Sequence, residues 1–221
     1  MSETFGAIIV AAGAGRRMQG ADKLFSMVAG RPLLAHAVSA FEACWDVSRI
    51  ALVMSDANIE QGRQLVEFES WTKVVAICTG GARRQDSVHC GLQNIGHCDW
   101  VAIHDGGRPL LRPGMVSRGW EAARETGAAI PVLPLVDTVK EVDSGFVVGT
   151  LDRSRYVAVQ TPQVFRYGLL LRAHHEITVD VTDDAAMVEM LGVRVKTYDG
   201  RARNIKITTP EDLTLAEAYL G

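Results

Sequence analysis

The feature that most limits this chain is an alternation of short, wholly apolar runs with longer stretches of helical period. Phe5-Gly-Ala-Ile-Ile-Val10 is apolar at every position rather than every second one. That pattern marks a strand buried on both faces, as in a parallel sheet. Residues 33–43, entered through Pro32 at the first helical position, read as a helix. Residues 50–54 read as the next strand and 59–68 as the next helix. Residues 73–77 and 100–104 read as further strands, with a helix over about 86–95 between them. A helix over 113–126 and a strand over 128–133 follow. This β-α-β order predicts a doubly wound α/β fold, its sheet covered by helices on both faces.

The rhythm breaks after Pro134. Residues 136–159 turn to short β-like runs around Asp143-Ser-Gly145, a turn signal. A projecting β-hairpin arm fits, and an arm too thin to bury its own faces packs most economically on a second copy of the chain. After Phe165 the helices return, followed by a strand over 194–198 and a closing helix entered at Pro210-Glu211-Asp212.

Composition narrows the class. A chain of 221 residues should bury roughly 70% of its unfolded surface, ample for one domain over 1–221. Lys and Arg total 23 against 26 Asp and Glu, a net charge of -3 that gives no global reason to bind nucleic acid or an anionic membrane. The apolar run 7–12 is too short to span a bilayer, and Met1-Ser-Glu-Thr4 lacks the basic start of a secretory signal. Cys44, Cys78, Cys90 and Cys98 are too few and scattered for a disulfide scaffold, so a cytoplasmic location is expected.

In doubly wound sheets ligands bind outside the carboxyl ends of the strands. The first strand runs into Ala11-Ala12-Gly13-Ala14-Gly15-Arg16-Arg17-Met18, with Lys23 a few residues on. Small residues would let backbone N–H groups approach an anion, with Arg17 and Lys23 to carry compensating charge, the alternative being a tight strand exit with solvated basic residues. Met18 stands where a dinucleotide fingerprint needs its third glycine, and the Gly-Lys-Ser/Thr of a Walker loop is absent. The third strand leads to Gly80-Gly81-Ala82-Arg83-Arg84-Gln85-Asp86-Ser87, where Asp86 or Ser87 equally well caps a helix. The fourth ends in His104-Asp105-Gly106-Gly107-Arg108-Pro109, a carboxylate placed for a ribose, a metal or a substrate hydroxyl, or an ordinary Asp-Gly turn. Three strand ends of this kind together predict a nucleotide site. His89-Cys90 and His97-Cys98 lack zinc-ligand spacing, and no Gly-x-Ser-x-Gly elbow is present. Thr182-Asp183-Asp184 reads as a helix cap, and 204–208 alternates like a strand.

These motifs continue in order through Pro134-x-x-Asp137-Thr138-x-Lys140, Asp152-Arg153, Gln160-Thr161-Pro162-Gln163-x-Phe165, Thr182-Asp183-Asp184-Ala185 and Asn204-Ile205-Lys206-Ile207-Thr208-x-Pro210-Glu211-Asp212-Leu213. Across residues 5–220 the series resembles the 2-C-methyl-D-erythritol 4-phosphate cytidylyltransferase family of the non-mevalonate isoprenoid pathway. The resemblance implies a Rossmann-like, mostly parallel sheet, a homodimer joined through the arm, and a need for CTP and Mg²⁺. It implies that the segment from Val10 through Ala11, Ala12, Gly13 and Ala14 to Gly15 holds the nucleotide and its triphosphate. Gly81, Ala82 and Ser87 would read the cytosine, and Asp105 and Gly106 would lie between nucleotide and substrate. By the same resemblance Arg17 and Lys23 stabilise the transition state, and Arg153 and Lys206 position the methylerythritol phosphate. Arg108, Thr138, Thr161, Thr182 and Thr208 would contact that substrate, with Thr138 and Arg153 serving the partner's site from the arm. The chain departs from the family at Asp22, Ala82, Gly106-Gly107 and Arg203, where Pro, an acid, Ala-Ala and an acid are usual. Rival readings are a ribitol 5-phosphate cytidylyltransferase, a dinucleotide oxidoreductase and a catalytically silent nucleotide-binding dimer.

Overall fold

In the computed structural model of the chain, which describes residues 3–13 and 23–220, the first apolar run forms strand β1, Phe5–Ala11, deep inside the main sheet. Its side chains divide between two cores. Ala7 and Ile9 join Leu34, Phe41 and Met115 on one face, while Ile8 joins Val88, Leu92 and Leu170 on the other. A run with no polar position is thus what a strand with helices on both sides demands. Each fully buried Ile contributes about 1.5–3 kcal/mol.

Helix α1 (Leu33–Glu42), strand β2 (Val47–Met54), helix α2 (Ile59–Phe68), strand β3 (Val74–Thr79), helix α3 (Arg84–Asn94) and strand β4 (Trp100–Asp105) follow in the expected order. Pro32 stands just before α1 in extended conformation rather than inside its first turn. A two-residue ribbon, Met27–Val28 against Arg31–Pro32, precedes it. Helix α4 (Pro113–Ala123) stops before Thr126, where Gly127 at φ +91 turns the chain and donates its N–H to the Ala123 carbonyl. Strand β5 is Ala128–Pro134.

The arm is a hairpin of β6 (Lys140–Asp143) and β7 (Phe146–Thr150), closed by Ser144 at φ 48 and Gly145 at φ 86. Two successive positive φ values are the geometry of a type I′ turn, which Ser-Gly permits. The arm is shorter than 136–159, because strand β8 (Val157–Val159) has already rejoined the main sheet beside β5. Strand β9 (Gln163–Arg166) then inserts antiparallel between β4 and β5, an element the sequence reading assigned to no strand. Helices α5 (Tyr167–Glu176) and α6 (Asp184–Met190), strand β10 (Lys196–Asp199) and helix α7 (Pro210–Leu220) complete the chain. The sheet order is β3-β2-β1-β4-β9-β5, with β8 and β10 also pairing β5.

The segment 204–208 joins no ladder, correcting the strand expected there. It is held instead by the Ile207 N–H on the Gly107 carbonyl at 2.8 Å and by the Asn204 side chain, which donates to Thr161 O at 2.9 Å. Among the described residues no helix is long and apolar enough to cross a membrane.

Candidate active site

Strand order reverses at β1: the chain builds β2 and β3 to one side and β4 to the other. The crevice at such a switch point is where doubly wound sheets take ligands. Here Val10 pairs Asp105, and the Gly106 N–H donates to the Val10 carbonyl at 2.9 Å. A Cβ on Gly106 would lie 3.2 Å from that of Ala11, and one on Gly80 only 2.4 Å from that of Ala12. Small residues therefore let the ends of β1, β3 and β4 close around one crevice. Gly13 stands at its edge, and among the described residues nothing lies within 4 Å of where its side chain would be. Ala14, Gly15 and Arg17 lie outside the described residues.

Asp105 is the centre of charge. Its Oδ1 accepts from Arg84 Nε at 3.2 Å, and its Oδ2 lies 2.9 Å from Lys206 Nζ and 3.7 Å from Arg108 Nε. Burial alone would raise its pKa. The Arg84 guanidinium, then Lys206 and Arg108, outweigh burial and hold the carboxyl well below the usual carboxylate range. The group stays ionised, and the cations around it exceed its single charge.

Arg84 reaches Asp105 because another carboxylate anchors it. Its Nη1 lies 2.6 Å from Oδ2 of Asp184, which is fully buried at the start of α6. Burial opposes ionisation of Asp184 too, and Arg84 overcomes it. The capping role expected for Thr182-Asp183-Asp184 falls to Asp183, whose Oδ1 accepts from the Ala186 N–H at 3.1 Å. Thr182 is exposed at that corner.

A neutral histidine fixes the strand end from below. Burial pushes His104 down to about 4, although neighbouring Asp105 works against the shift. Its Nε2 lies 3.3 Å from the Arg108 carbonyl, which can only accept, so the proton sits on Nε2. Nδ1 then accepts from the Thr161 hydroxyl at 3.0 Å, and the same oxygen accepts the Asp105 N–H at 3.1 Å. The Thr161 hydroxyl is thus engaged internally. So is that of Thr208, which donates to Asp212 at 2.9 Å at the start of α7.

Lys23 stands at the rim, where its Nζ donates to the Ile207 carbonyl at 3.0 Å, one residue from Lys206. Arg108 donates from Nη1 to Asn204 O at 2.8 Å. Ser87 is buried with its hydroxyl accepting from the Gly81 N–H and donating to the Arg83 carbonyl, both at 3.1 Å. The cap of α3 comes from Asp86, which accepts the Arg83 N–H at 3.0 Å. Ala82 lies exposed on that turn. Arg153 and Thr138 stand apart, exposed on the segments that lead into and out of the arm, and Arg153 donates to the Val136 carbonyl beside it.

The structure thus brings Ala11, Ala12, Gly81, Ser87, Lys23, Asp105, Gly106, Arg108 and Lys206 to one crevice. Sequence reasoning missed Arg84, Asp184, His104 and Asn204 as its supports. The signal for Arg84 was its place in the basic glycine turn.

A doubly wound sheet whose strand ends gather cations around one ionised Asp suits a phosphorylated ligand, and comparison with known proteins decides which kind. A profile described as IspD, 2-C-methyl-D-erythritol 4-phosphate cytidylyltransferase, matches residues 5–221. The chain belongs to this family. An enzyme of that name from Dehalococcoides mccartyi strain CBDB1 is 49% identical over 221 residues, covering 100% of this chain and 97% of its own. The crystal structure of 4-diphosphocytidyl-2C-methyl-D-erythritol synthase from Anaerococcus prevotii superposes with a TM-score of 0.87 at 29% identity, covering 99% of this chain and 98% of that one. The Thermus thermophilus cytidylyltransferase gives 0.79 at 33% identity over 96% of this chain and 97% of its own. Membership makes the chain a nucleotidyltransferase, and neither the ribitol 5-phosphate reading nor the oxidoreductase is favoured.

Proposed function

We propose that the chain transfers CMP from CTP to 2-C-methyl-D-erythritol 4-phosphate, giving 4-diphosphocytidyl-2-C-methyl-D-erythritol and pyrophosphate. The observation that carries this reading is the ionised Asp105 ringed by Arg84, Arg108 and Lys206, with Lys23 alongside. A phosphate oxygen of the acceptor attacks the α-phosphorus of CTP. A P–O bond forms there as the bond to the bridging β-oxygen breaks, and pyrophosphate leaves with that electron pair.

A phosphate monoester with its second pKa near about 6 is already largely dianionic at neutral pH, so the attack needs no general base. The barrier is the meeting of two anions, and catalysis rests on positioning and charge neutralisation. Lys206 and Arg108 hold the acceptor phosphate and Asp105 its hydroxyl side, while Lys23, with Arg17, stabilises charge at the α-phosphate. The small residues Ala11 to Gly15 cradle the triphosphate by backbone N–H groups, and the turn at Gly81, Ala82 and Ser87 reads the base. Thr161 and Thr208 set the shape of the acceptor pocket, Thr182 closes it, and Thr138 and Arg153 reach the partner's pocket in a homodimer.

Among the described residues no His, Cys, Asp and Glu side chains gather in a group able to hold a metal. A Mg²⁺ ion here would rely on the nucleotide's phosphate oxygens for most of its ligands, with Asp105, whose charge Arg84, Arg108 and Lys206 already offset, the carboxylate that would face it. When bound, that ion neutralises phosphate charge. We read 1–221 as one catalytic domain and place it in the cytoplasm, consistent with four unbridged cysteines.

Pyrophosphate release from CTP with Mg²⁺ tests the reaction, comparing methylerythritol 4-phosphate with ribitol 5-phosphate. Release with the former alone is expected. Release with neither, despite CTP binding, would leave a nucleotide-binding dimer in its place.

A further inference from the structure

Away from Asp105, the loop after β4, the segment 201–203 and the end of α7 line a second, open cleft of about 110 Å³. A water needs roughly 10–15 Å³ on the same measure, so a phosphate group and a small apolar body fit together. Arg112, Arg201 and Arg203 line it together with Leu111, Tyr219 and Leu220. None of Asp105, Lys206 or Lys23 belongs to its walls.

Its charge is uncompensated. Among the described residues, no carboxylate pairs with Arg112, Arg201 or Arg203. Arg201 loses proton affinity first through partial burial and then through repulsion from Arg112, Arg118 and Arg203. Gathering guanidiniums this way costs free energy that a bound anion would recover through charge-assisted hydrogen bonds.

The cluster is also held in place. Both backbone polar groups of Arg201 are tied to Gln160, its N–H to Oε1 at 3.1 Å and its carbonyl to Nε2 at 2.9 Å. The Arg203 guanidinium lies over the Tyr219 ring at 5.0 Å from its centroid. That contact limits the side chain's freedom and leaves its in-plane N–H donors for a ligand. Leu111, buried at 6% exposure, supplies apolar floor beside the cations.

We propose that this cleft is a second anion site, separate from the catalytic crevice, which takes a phosphate ester carrying a small apolar group. The assignment stands on the cleft alone and does not depend on the reaction proposed above.

Calorimetric titration of the full chain with phenyl phosphate, with inorganic phosphate and phenol as controls, tests it. Two classes of site are expected for phenyl phosphate. Lys206→Ala should abolish the catalytic one, and the double variant Arg201→Gln, Arg203→Gln should abolish the other. Arg112→Gln should weaken that second class by about tenfold, the worth of one charge-assisted contact. Inorganic phosphate should bind it more weakly than phenyl phosphate, and phenol not at all. The proposal is overturned if the double variant, melting as the wild type does, keeps both classes, or if Lys206→Ala removes all binding. Should the double variant not fold, unchanged affinity in Arg112→Gln overturns it alone.

Discussion

His104 and Asp105 are adjacent in the chain and opposite in chemistry: burial leaves the imidazole neutral, while the cations around the carboxylate keep it charged. The histidine has a measurable signature. Its pKa falls from 6.5 to about 4 on folding, so between those values the unfolded chain binds a proton that the folded chain does not. Its contribution to stability is whole above pH 6.5 and is lost as pH falls towards 4, on the order of 3 kcal/mol in all. Urea unfolding at intervals across that range should show a shallower decline for His104→Gln than for the wild type. Equal slopes would mean that the imidazole is not buried neutral. For Lys23→Ala, kcat should fall far more than KM for CTP rises, the mark of an interaction made in the transition state. A raised KM with kcat intact would restrict Lys23 to ground-state binding. Asp105 stood out in the sequence because it ends a strand just before two glycines, and Lys23 because it follows the glycine turn after β1, whereas Lys206 drew its role only from the family resemblance. The Arg84–Asp184 pair was not legible there, since it joins residues 100 positions apart and neither side chain announces its partner. That the Thr161 and Ser87 hydroxyls also take hydrogen bonds within the fold depends on packing no local pattern encodes.

At the level of elements, α3 carries Arg84 and Ser87 to the crevice, and its approach to the sheet is set at Gly91. A Cβ there would meet Ile8 Cγ2 at 2.4 Å and Val53 Cγ2 at 3.0 Å, both on strands fixed in the sheet. Gly91→Ala should therefore destabilise the fold by about 1–3 kcal/mol through overpacking, even though Ala favours helix. A lower urea midpoint with unchanged m-value would register it, and a stabilised variant would show that α3 can slide outward at no cost. The parallel strands and their helices were legible because apolar runs and helical period are local signals. Strand β9 was hidden: four residues, Gln163–Arg166, are too few to show a period, and their place between β4 and β5 depends on contacts across the chain. The segment 204–208 misled for the converse reason. It alternates as a strand does, but its polar groups are satisfied by Thr161 and Gly107 rather than by a neighbouring strand.

For the whole molecule, the crevice holds its cations on one body while Arg153 and Thr138 stand beside an arm that leaves apolar side chains in water. Phe146 is 75% exposed, and Val136, Val142, Val147 and Val148 are exposed beside it. A two-stranded ribbon is marginal by itself, and so concentrated an apolar surface marks an interaction site. If two copies embrace through their arms, Arg153 of each completes the pocket that contains Lys206 of the other. Arg153→Ala should then chiefly raise KM for the acceptor. The geometry also gives a complementation test. Lys206→Ala and Arg153→Ala proteins, each poorly active, should regain activity after being unfolded and refolded together. In the mixed dimer, one pocket pairs an intact Lys206 with an intact Arg153, while the other carries both defects. Random pairing makes about half the dimers mixed, so recovery should approach about a quarter of wild-type activity. Phe146→Asp, which puts a charge into the arm's apolar face, should weaken the dimer on size-exclusion chromatography and lower that recovery. No recovery on mixing, from variants that still dimerise, would place Arg153 in the pocket of its own chain.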